Sequence, residues 1–233
     1  IGYAYASGSL PISVKSCNNF GEVKATGSAT NPRPAGIVSV MDGTGVTVNG
    51  CYNKGKISTA SSVGNVYMGG ITAYSVRTTI TDCHNEGDVQ VTKTGNQIRM
   101  GGIAGQQTTS GKVLQCTNSA TVNSSAEITG VESQIGGIVG FAASNALVQS
   151  CKNKSTAIIS VTGALEKPKL GGIVGHSEVT VQDCHNEGRV ELTKTAGLIN
   201  MGGIVGCQKS VAKVLQCTNA ADVYCAANYV ASE

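Results

Sequence analysis

The feature that most constrains this chain is a cysteine that recurs every 32 to 35 residues. An asparagine follows each of these cysteines after one intervening residue. The cysteines are Cys17, Cys51, Cys83, Cys116, Cys151, Cys184 and Cys217, and the asparagines are Asn19, Asn53, Asn85, Asn118, Asn153, Asn186 and Asn219. A fixed period of this length indicates a repeat architecture in which each repeat is one supersecondary unit. The recurring residues therefore belong first to a scaffold.

The residues that follow each cysteine have a period of two. In the third repeat, Cys83, Asn85, Gly87 and Val89 occupy offsets 0, 2, 4 and 6, and most other repeats keep cysteine, asparagine, a small residue and an aliphatic residue there. This alternation places the four side chains on one face of an extended strand. A β-branched residue stands three positions before each cysteine. That spacing is odd, so it predicts a corner of the chain between the two residues.

A second strand is marked by Gly-Gly-Ile, and three short strands per repeat predict one coil of a β-solenoid. The Gly-Gly-Ile copies begin at Gly69, Gly101, Gly136, Gly171 and Gly202, with looser copies at Ala35 and Ile1. We predict an all-β parallel β-helix of about seven coils, with roughly 33 residues and three strands per coil. The coils start near residues 1, 35, 69, 101, 136, 171 and 202. The stacked asparagines would bond one another or the corner backbone, and the stacked cysteines would be small buried fillers with free thiols.

The alternative fold is a seven-bladed β-propeller, because the number of repeats fits. Propeller blades need about 40 to 50 residues for four strands, and these repeats are shorter. A block of three coils is also duplicated, since the sequence 83–87 recurs at 184–188 and the sequence 112–118 recurs at 213–219. Residues 1–233 are therefore interpreted as a single solenoid domain. Both ends of the chain are in phase with the repeat, from which we expect either a segment of a longer protein or ends that engage partners.

Composition and charge argue against several function classes. Charged residues make up 13% of the chain, the net charge is +3, and no run of lysine or arginine occurs. A nucleic-acid partner is therefore not expected, and no apolar stretch reaches the roughly 20 residues that cross a bilayer. No two cysteines lie closer than eight residues, which argues against a zinc site built on paired cysteines. His84 and His185 are predicted to face outward three coils apart, too far to share a metal ion.

A glycan-cleaving site in a solenoid would need acidic residues clustered across adjacent coils. Glu86 and Asp88 share one strand face, but the neighbouring coils place Lys54, Lys56, Ser119 and Thr121 beside them. The sequence thus predicts no catalytic, cofactor-binding or metal-binding residues and no cofactor. A glycan-cleaving β-helix remains as an alternative.

Two cysteines and several tyrosines lie off the main pattern. Cys225 stands eight residues after Cys217, an even offset that predicts an inward side chain. Cys207 stands three residues after Ile204, which favours an outward side chain and no disulfide with Cys225. The first third of the chain holds Tyr3, Tyr5, Tyr52, Tyr67 and Tyr74. That region is the better candidate for a sugar or protein contact, unless Tyr3 and Tyr5 only cover the end of the core.

The glycine motifs resemble a known family. Gly-Ile-Val-Gly at 137–140, 172–175 and 203–206, and Gly-Ile-Ala-Gly at 102–105, resemble the GLUG repeat of bacterial secreted and surface proteins. Isoleucine replaces the leucine throughout, and the copies at 36–39 and 70–73 lack the final glycine. The resemblance implies an adhesion or display module. Such repeats also accompany immunoglobulin-A protease domains, but no His-Glu-x-x-His motif occurs around His84, His176 or His185.

Taken with this resemblance, the sequence leads us to expect a non-enzymatic, extracellular module of a bacterial surface protein that acts in adhesion or as a display stalk. Inward positions barely change between coils, so recognition of a host or bacterial glycan or protein is expected on the variable segments. These are Ser28 to Pro34, Asn123 to Gln134 and Val161 to Leu170. A filament subunit that associates end to end is a second alternative, because exposed coil ends can pair with other chains.

Overall fold

The structure is a computed structural model, and it describes residues 1–6, 11–27, 30–60, 64–93, 96–194, 197–209 and 212–226. These residues form a parallel β-solenoid of about six turns, with equivalent positions about 33 residues apart. Every pairing between strands is parallel and joins one turn to the next. The propeller alternative is excluded, because the sheets stack along one axis instead of forming separate blades.

Each full turn contributes to five sheets, and the prediction of three strands per coil was wrong. Sheet 1, which follows Gly-Gly-Ile, contains Tyr3–Tyr5, Val38–Asp42, Thr72–Val76, Ala104–Thr108, Val139–Ala142, Val174–Ser177 and Val205–Gln208. Sheet 2, which holds the β-branched residue before each cysteine, contains Ile12–Lys15, Val46–Asn49, Thr79–Thr81, Lys112–Leu114, Leu147–Gln149, Thr180–Gln182 and Val214–Leu215.

The predicted strand from cysteine to valine is divided between two sheets. Sheet 3 contains Asn18–Asn19, Tyr52–Asn53, His84–Asn85, Thr117–Asn118, Lys152–Asn153, His185–Asn186 and Thr218–Asn219. Sheet 4 contains Val23–Ala25, Ile57–Thr59, Val89–Val91, Val122–Ser124, Ile158–Val161, Arg189–Leu192 and Val223–Cys225. Sheet 5, which leads into Gly-Gly-Ile, contains Val66–Gly69, Ile98–Gly101, Ile128–Gly136, Leu165–Gly171 and Asn200–Gly202.

The predicted corner before each cysteine is confirmed. The residue immediately before the cysteine has a positive φ of 50–59° in all seven copies, and only one copy is glycine. These residues are Ser16, Gly50, Asp82, Gln115, Ser150, Asp183 and Gln216. The left-handed residue turns the chain between sheets 2 and 3, so the β-branched residue and the cysteine both face inward despite their odd spacing.

The asparagines form a continuous row of hydrogen bonds along the rod, as predicted. From Asn19 to Asn186, the side-chain nitrogen of each asparagine donates to the side-chain oxygen of the asparagine in the next turn, at 2.7–3.0 Å. In most turns the same nitrogen also donates to the backbone oxygen two residues later, as from Asn118 to Ala120 at 2.9 Å. The row is buried from Asn53 to Asn186, so its polar atoms are satisfied without water.

The two glycines of Gly-Gly allow two close contacts, the second glycine with the asparagine row and the first with the backbone. An added Cβ on the second glycine would meet the facing asparagine, as at Gly102, where it would lie 2.3 Å from Cγ of Asn118. On the first glycine it would meet the backbone three residues on, 2.3 Å from the oxygen of Ala104 at Gly101. The contact crosses the coil, and the buried apolar residues form one cluster on each side of it. One cluster holds sheets 1 and 2 with the buried cysteines, and the other holds sheets 4 and 5.

The last glycine of the Gly-Ile-Val-Gly motif lets sheet 1 approach sheet 5 of the preceding turn. A Cβ on Gly140 would lie 2.5 Å from the backbone nitrogen of Met100, and Gly175 stands in the same relation to Ile135. Sheet 5 begins one turn late, at Val66–Gly69, and the described residues 30–34 form no strand of it. The two copies that lack the final glycine have Ser39 and Ala73 in its place. In both cases the described residues of the preceding turn form no strand of sheet 5 against which this residue would pack. The sequence variation therefore follows the packing.

Candidate functional site

Side chains that differ in chemistry from turn to turn, and that include cations and aromatic rings in mutual contact, lie along one line where sheets 5 and 1 adjoin. Each turn contributes two residues seven positions apart, one on either side of Gly-Gly-Ile, and neighbouring turns pair in register. We call this line the seam. Its pairs are Arg33 and Val40, Tyr67 and Tyr74, Arg99 and Gln106, Gln134 and Phe141, Lys169 and His176, and Asn200 and Cys207. The two apolar core clusters contain none of them.

At one end of the seam, two tyrosines and an arginine stack on one another. The rings of Tyr67 and Tyr74 meet edge to face with centroids 5.5 Å apart. The guanidinium carbon of Arg33 lies 4.6 Å from the centroid of Tyr74 and 5.4 Å from that of Tyr67. Such stacks are favourable because the ring faces carry partial negative charge. Tyr67 and Tyr74 were predicted contact residues, and the structure brings them together with an arginine that the prediction did not single out.

Arg99 occupies the centre of the seam. Its Nε donates to Oε1 of Gln134 at 3.1 Å, and a terminal nitrogen donates to Oε1 of Gln106. The guanidinium also lies 4.3 Å from the ring centroid of Phe141 and 5.7 Å from that of Tyr67. Burial lowers the pKa of Arg99 below its ordinary value, with the neighbouring tyrosines and glutamates acting in the opposite direction. The polar partners of this cation are neutral amides.

A charged cluster follows in the next turns. Lys169 is 3% exposed, and its ammonium contacts Oε2 of Glu132 and lies 3.3 Å from Nδ1 of His176. An ammonium has only donors, so Nδ1 of His176 accepts and the imidazole proton lies on Nε2. That Nε2 lies 3.8 Å from Oε1 of Glu178 and has no hydrogen-bond partner among the described residues. The cluster therefore runs carboxylate, ammonium, imidazole, carboxylate.

The pKa shifts in this cluster favour a structural role. Burial, assisted by the positive charges of Lys169 and Lys209, lowers the pKa of His176 to about 4. The hydrogen bond from Lys169 lowers the pKa of Glu132. At neutral pH the imidazole is thus uncharged and weakly basic, and both Lys169 and His176 are almost fully shielded from solvent. A substrate would not reach them without a rearrangement of the seam.

The sequence reasoning missed this arrangement, although a signal for it exists. Arg99 and Gln106, like Lys169 and His176, are seven residues apart across a Gly-Gly-Ile copy. Two of the three variable segments predicted as binding loops supply seam residues from within strands: Gln134 from Ile128–Gly136, and Lys169 from Leu165–Gly171. The first of these strands also supplies Glu132, which contacts Lys169. The first segment supplies Arg33, while Ser28 and Ala29 of that segment lie outside the described residues.

The histidines singled out in the sequence face outward, as predicted, and each contacts a threonine of the next turn. Nδ1 of His84 lies 2.5 Å from Oγ1 of Thr117, and His185 contacts Thr218 in the same way. Nε2 of His185 lies 3.0 Å from Oε1 of Glu187. Over the described ranges, no group of three or more His, Cys, Asp or Glu side chains could hold a metal ion.

The remaining candidates either bond to a neighbouring group or lie in the first turn of the stack. Glu86 accepts from the hydroxyl of Tyr52, and Oδ1 of Asp88 accepts from the backbone of Thr121 at 3.1 Å. Tyr3 and Tyr5 stack on each other at 6.1 Å and are exposed. Glu86 and Asp88 are thus each bonded to another group of the protein and do not pair with one another as an acid and a base.

The nine cysteines are free thiols. Those from Cys51 to Cys184 in the row are buried, as predicted, and burial raises the pKa of Cys51 to about 11. Cys207 lies in the seam beside His176, which confirms its outward position. Cys225 pairs in register with the buried Leu192 and is thus in an inward column, but it is exposed in the last strand of sheet 4.

Comparison with known proteins gave no match: no family model matches the chain, and no curated protein or solved structure is significantly similar to it. The described residues contain no helix long and apolar enough to cross a membrane.

Proposed function

We propose that this chain is a non-enzymatic module of an extracellular bacterial surface protein, and that it acts in adhesion or display through the seam. The observation that carries the proposal is that the recurring residues and the seam residues make different kinds of contact. The recurring cysteines, asparagines and glycines are occupied by packing and by hydrogen bonds along the rod. Residues on the seam instead change from turn to turn, and there cations and aromatic rings contact one another.

The geometry of the seam supports binding more than catalysis. Tyr67, Tyr74, Arg99 and Phe141 are half-buried, so they are held in place while part of each side chain contacts solvent. The groups with acid–base chemistry, Lys169 and His176, are instead buried and paired. A rigid surface that presents fixed aromatic and cationic groups loses little conformational entropy when it binds a ligand. The resemblance to GLUG repeats supports the same class of function and the extracellular location.

The proposal is tested by screening the folded chain against immobilised glycans and extracellular matrix proteins. The variant Arg33→Gln with Arg99→Gln changes the seam, and the variant Lys15→Gln with Arg77→Gln removes the same charge elsewhere on the surface. We expect selective binding by the unaltered chain and by the second variant, and loss of that binding in the first.

Absence of binding by the intact, folded chain would contradict the proposal. Release of reducing ends from any glycan on the array would instead favour the glycan-cleaving alternative. Substitutions are preferable to trimming the variable segments, because trimming would remove strands of sheet 5.

A further inference from the structure

Arg33 is held in one position by its neighbours in the sequence and by two rings. Pro32 and Pro34 flank it, so the backbone on both sides has a fixed φ and Arg33 itself is restricted to extended conformations. The backbone nitrogen of Tyr67 donates to the oxygen of Pro32 at 3.2 Å, which ties this segment to the next turn. The guanidinium then rests on Tyr74 and Tyr67. Arg33 is therefore pre-organised before any ligand arrives.

The guanidinium groups of Arg33 and Arg99 have no carboxylate in direct contact within the described part of the chain, and Glu132 and Glu178 act on Arg99 only from a greater distance. Neither arginine forms an ion pair there, whereas Arg77 pairs with Asp42 and Arg189 pairs with Glu191. Arg33 has no hydrogen-bond acceptor for its guanidinium among these residues, and Arg99 donates only to the amides of Gln134 and Gln106. Stacked guanidinium groups with open donors are suited to carboxylate or sulfate oxygens.

The two tyrosine hydroxyls add polar groups to the same place. In the described structure neither Tyr67 nor Tyr74 has a hydrogen-bond partner for its hydroxyl, in contrast to Tyr52, whose hydroxyl bonds Glu86. An aromatic ring with a free hydroxyl offers an apolar surface and a polar edge together. Sugars present the same combination of C–H surface and hydroxyl groups.

We propose that Arg33, Tyr67, Tyr74 and Arg99 form a binding site for an acidic glycan, whose carboxylate or sulfate groups contact the two arginines. This inference rests on the proposed function and specifies its ligand. The cations stand on alternate turns, with neutral Tyr67 between them, about 10 Å apart at the usual strand spacing. A glycan in which acidic and neutral sugars alternate carries its charges in the same alternating order.

The spacing disfavours an extended acidic peptide. Side chains on one face of an extended peptide repeat about every 6.8 Å, which does not match two turns of the solenoid. Lys169 continues the alternation along the seam, but Glu132 already neutralises it. The site therefore ends at Arg99.

The test is a binding titration of the whole chain at physiological salt with four probes. They are a hyaluronan oligosaccharide, which is carboxylated, a sulfated dextran oligosaccharide, a neutral dextran oligosaccharide of equal length, and poly-glutamate. The proteins are the unaltered chain, Arg33→Gln and Arg77→Gln. Both variants remove one charge, but Arg77 lies in an exposed ion pair outside the seam. Equal urea midpoints would show that both variants are folded.

We expect binding of one or both acidic glycans and no binding of the neutral one. Arg33→Gln should weaken it about tenfold or more, the range for a lost charge-assisted hydrogen bond, and Arg77→Gln less than twofold. The stronger acidic probe identifies the anionic group as carboxylate or sulfate. Equal losses in the two variants, poly-glutamate binding as tight as glycan binding, or no binding of either acidic glycan would overturn the inference.

The same experiments separate the two proposals. If the array yields a ligand whose binding is unaffected by Arg33→Gln, the adhesion function stands and the acidic-glycan site is wrong. If the array yields no ligand, both are wrong.

Discussion

At the scale of single residues, the buried asparagine is the side chain whose recurrence the structure explains most fully. Oδ1 of Asn118 accepts from Asn85 at 2.8 Å, while its nitrogen donates to Asn153 and to the backbone oxygen of Ala120. A leucine of similar size would leave the side-chain oxygen of Asn153 without a donor and would leave Asn85 only its bond to the backbone oxygen of Gly87. An aspartate would bury a charge and could not donate. The amide accepts from one turn and has two N–H donors, one for the next turn and one for the corner backbone, whereas a hydroxyl has a single donor.

The glycine that closes Gly-Ile-Val-Gly gives a direct test of packing between sheets 1 and 5. We expect Gly140→Ala to destabilise the fold by about 2 kcal/mol or more, because its Cβ would overlap the backbone of Met100 and Gly105. Urea unfolding followed by circular dichroism measures the change. Gly21→Ala is the matched control, since a Cβ there meets nothing within 4 Å, and it should change stability by less than about 0.5 kcal/mol. Equal effects of the two substitutions would show that the close approach is not real.

His176 predicts a specific dependence of stability on pH. Its folded pKa of about 4 lies below the ordinary value of 6.5, so the unfolded chain binds a proton at a pH where the folded chain does not. This contribution is fully present above pH 6.5 and is lost as the pH falls from 6.5 to 4, at about 1.4 kcal/mol per pH unit. Between pH 7 and pH 5 the unaltered chain should lose about 2 kcal/mol of unfolding free energy from this residue.

The variant His176→Gln should remove most of that loss. Glutamine already stands at the equivalent seam position as Gln106, and its side-chain oxygen can accept from Lys169 as the imidazole does. Urea unfolding at pH 7 and pH 5 measures the effect, and the exposed His84→Gln provides the comparison. If His84→Gln and His176→Gln respond alike to pH, the buried, uncharged state of His176 is incorrect.

At the scale of elements, the corner before each cysteine could be predicted from the local sequence, but the number of strands in a turn could not. The position of the corner before the cysteine was predictable, because an odd spacing between two inward residues requires a turn. The number of strands was not, because the small residue after each asparagine bends one predicted strand into the two of sheets 3 and 4. Sheet 5 was not predicted from the sequence either. Its strands vary in length and sequence, and segments such as Leu165–Gly171, which contains Pro168, lack the usual pattern of a strand.

The left-handed corner yields a prediction with opposite signs for two substitutions. Gln115 has a φ of 53° and is exposed, and the equivalent position in another turn is Gly50. We expect Gln115→Gly to stabilise the chain by up to about 1 kcal/mol, because glycine adopts positive φ without steric cost. Gln115→Val should destabilise it by about 1 kcal/mol or more, because a β-branched residue is strained there. Urea midpoints of the two variants should lie on either side of the original, and destabilisation by glycine would contradict the assigned corner.

The seam was only partly predictable, because half of its residues come from sheet 5 or the segment that precedes it. The concentration of tyrosines indicated Tyr67 and Tyr74, and the variable segments indicated where coil-specific residues would lie. The meeting of Arg33 and Arg99 with those rings depends on sheet 5 lying beside sheet 1, which in turn depends on glycines whose role is visible only in three dimensions. Both arginines stand two residues before a copy of Gly-Gly-Ile, but the residue type at this position changes in every turn, so the repeat alone did not single them out.

At the scale of the whole molecule, the fold is a one-dimensional stack in which each turn contacts its neighbours. Such a stack separates two requirements, because positions that face inward are fixed by packing and positions that face outward can vary turn by turn. The seam uses this freedom: successive turns place arginine, tyrosine, arginine, glutamine and lysine at one equivalent position, from Arg33 to Lys169. In the proposed site, a ligand that lies along the rod from Arg33 to Arg99 would contact three successive turns at once.

The measurement that tests this account most directly is chemical-shift mapping by nuclear magnetic resonance of the isotope-labelled chain. The chain would be titrated with the tightest ligand found by the screen and by the probe titration. The account predicts that shift changes concentrate on the seam around Arg33, Tyr67, Tyr74 and Arg99, including the arginine Nε signals, while the outward row of sheet 3 around His84 and His185 is unaffected. Shift changes centred on that row or on another face, with the seam unaffected, would contradict the assignment of the seam as the recognition surface.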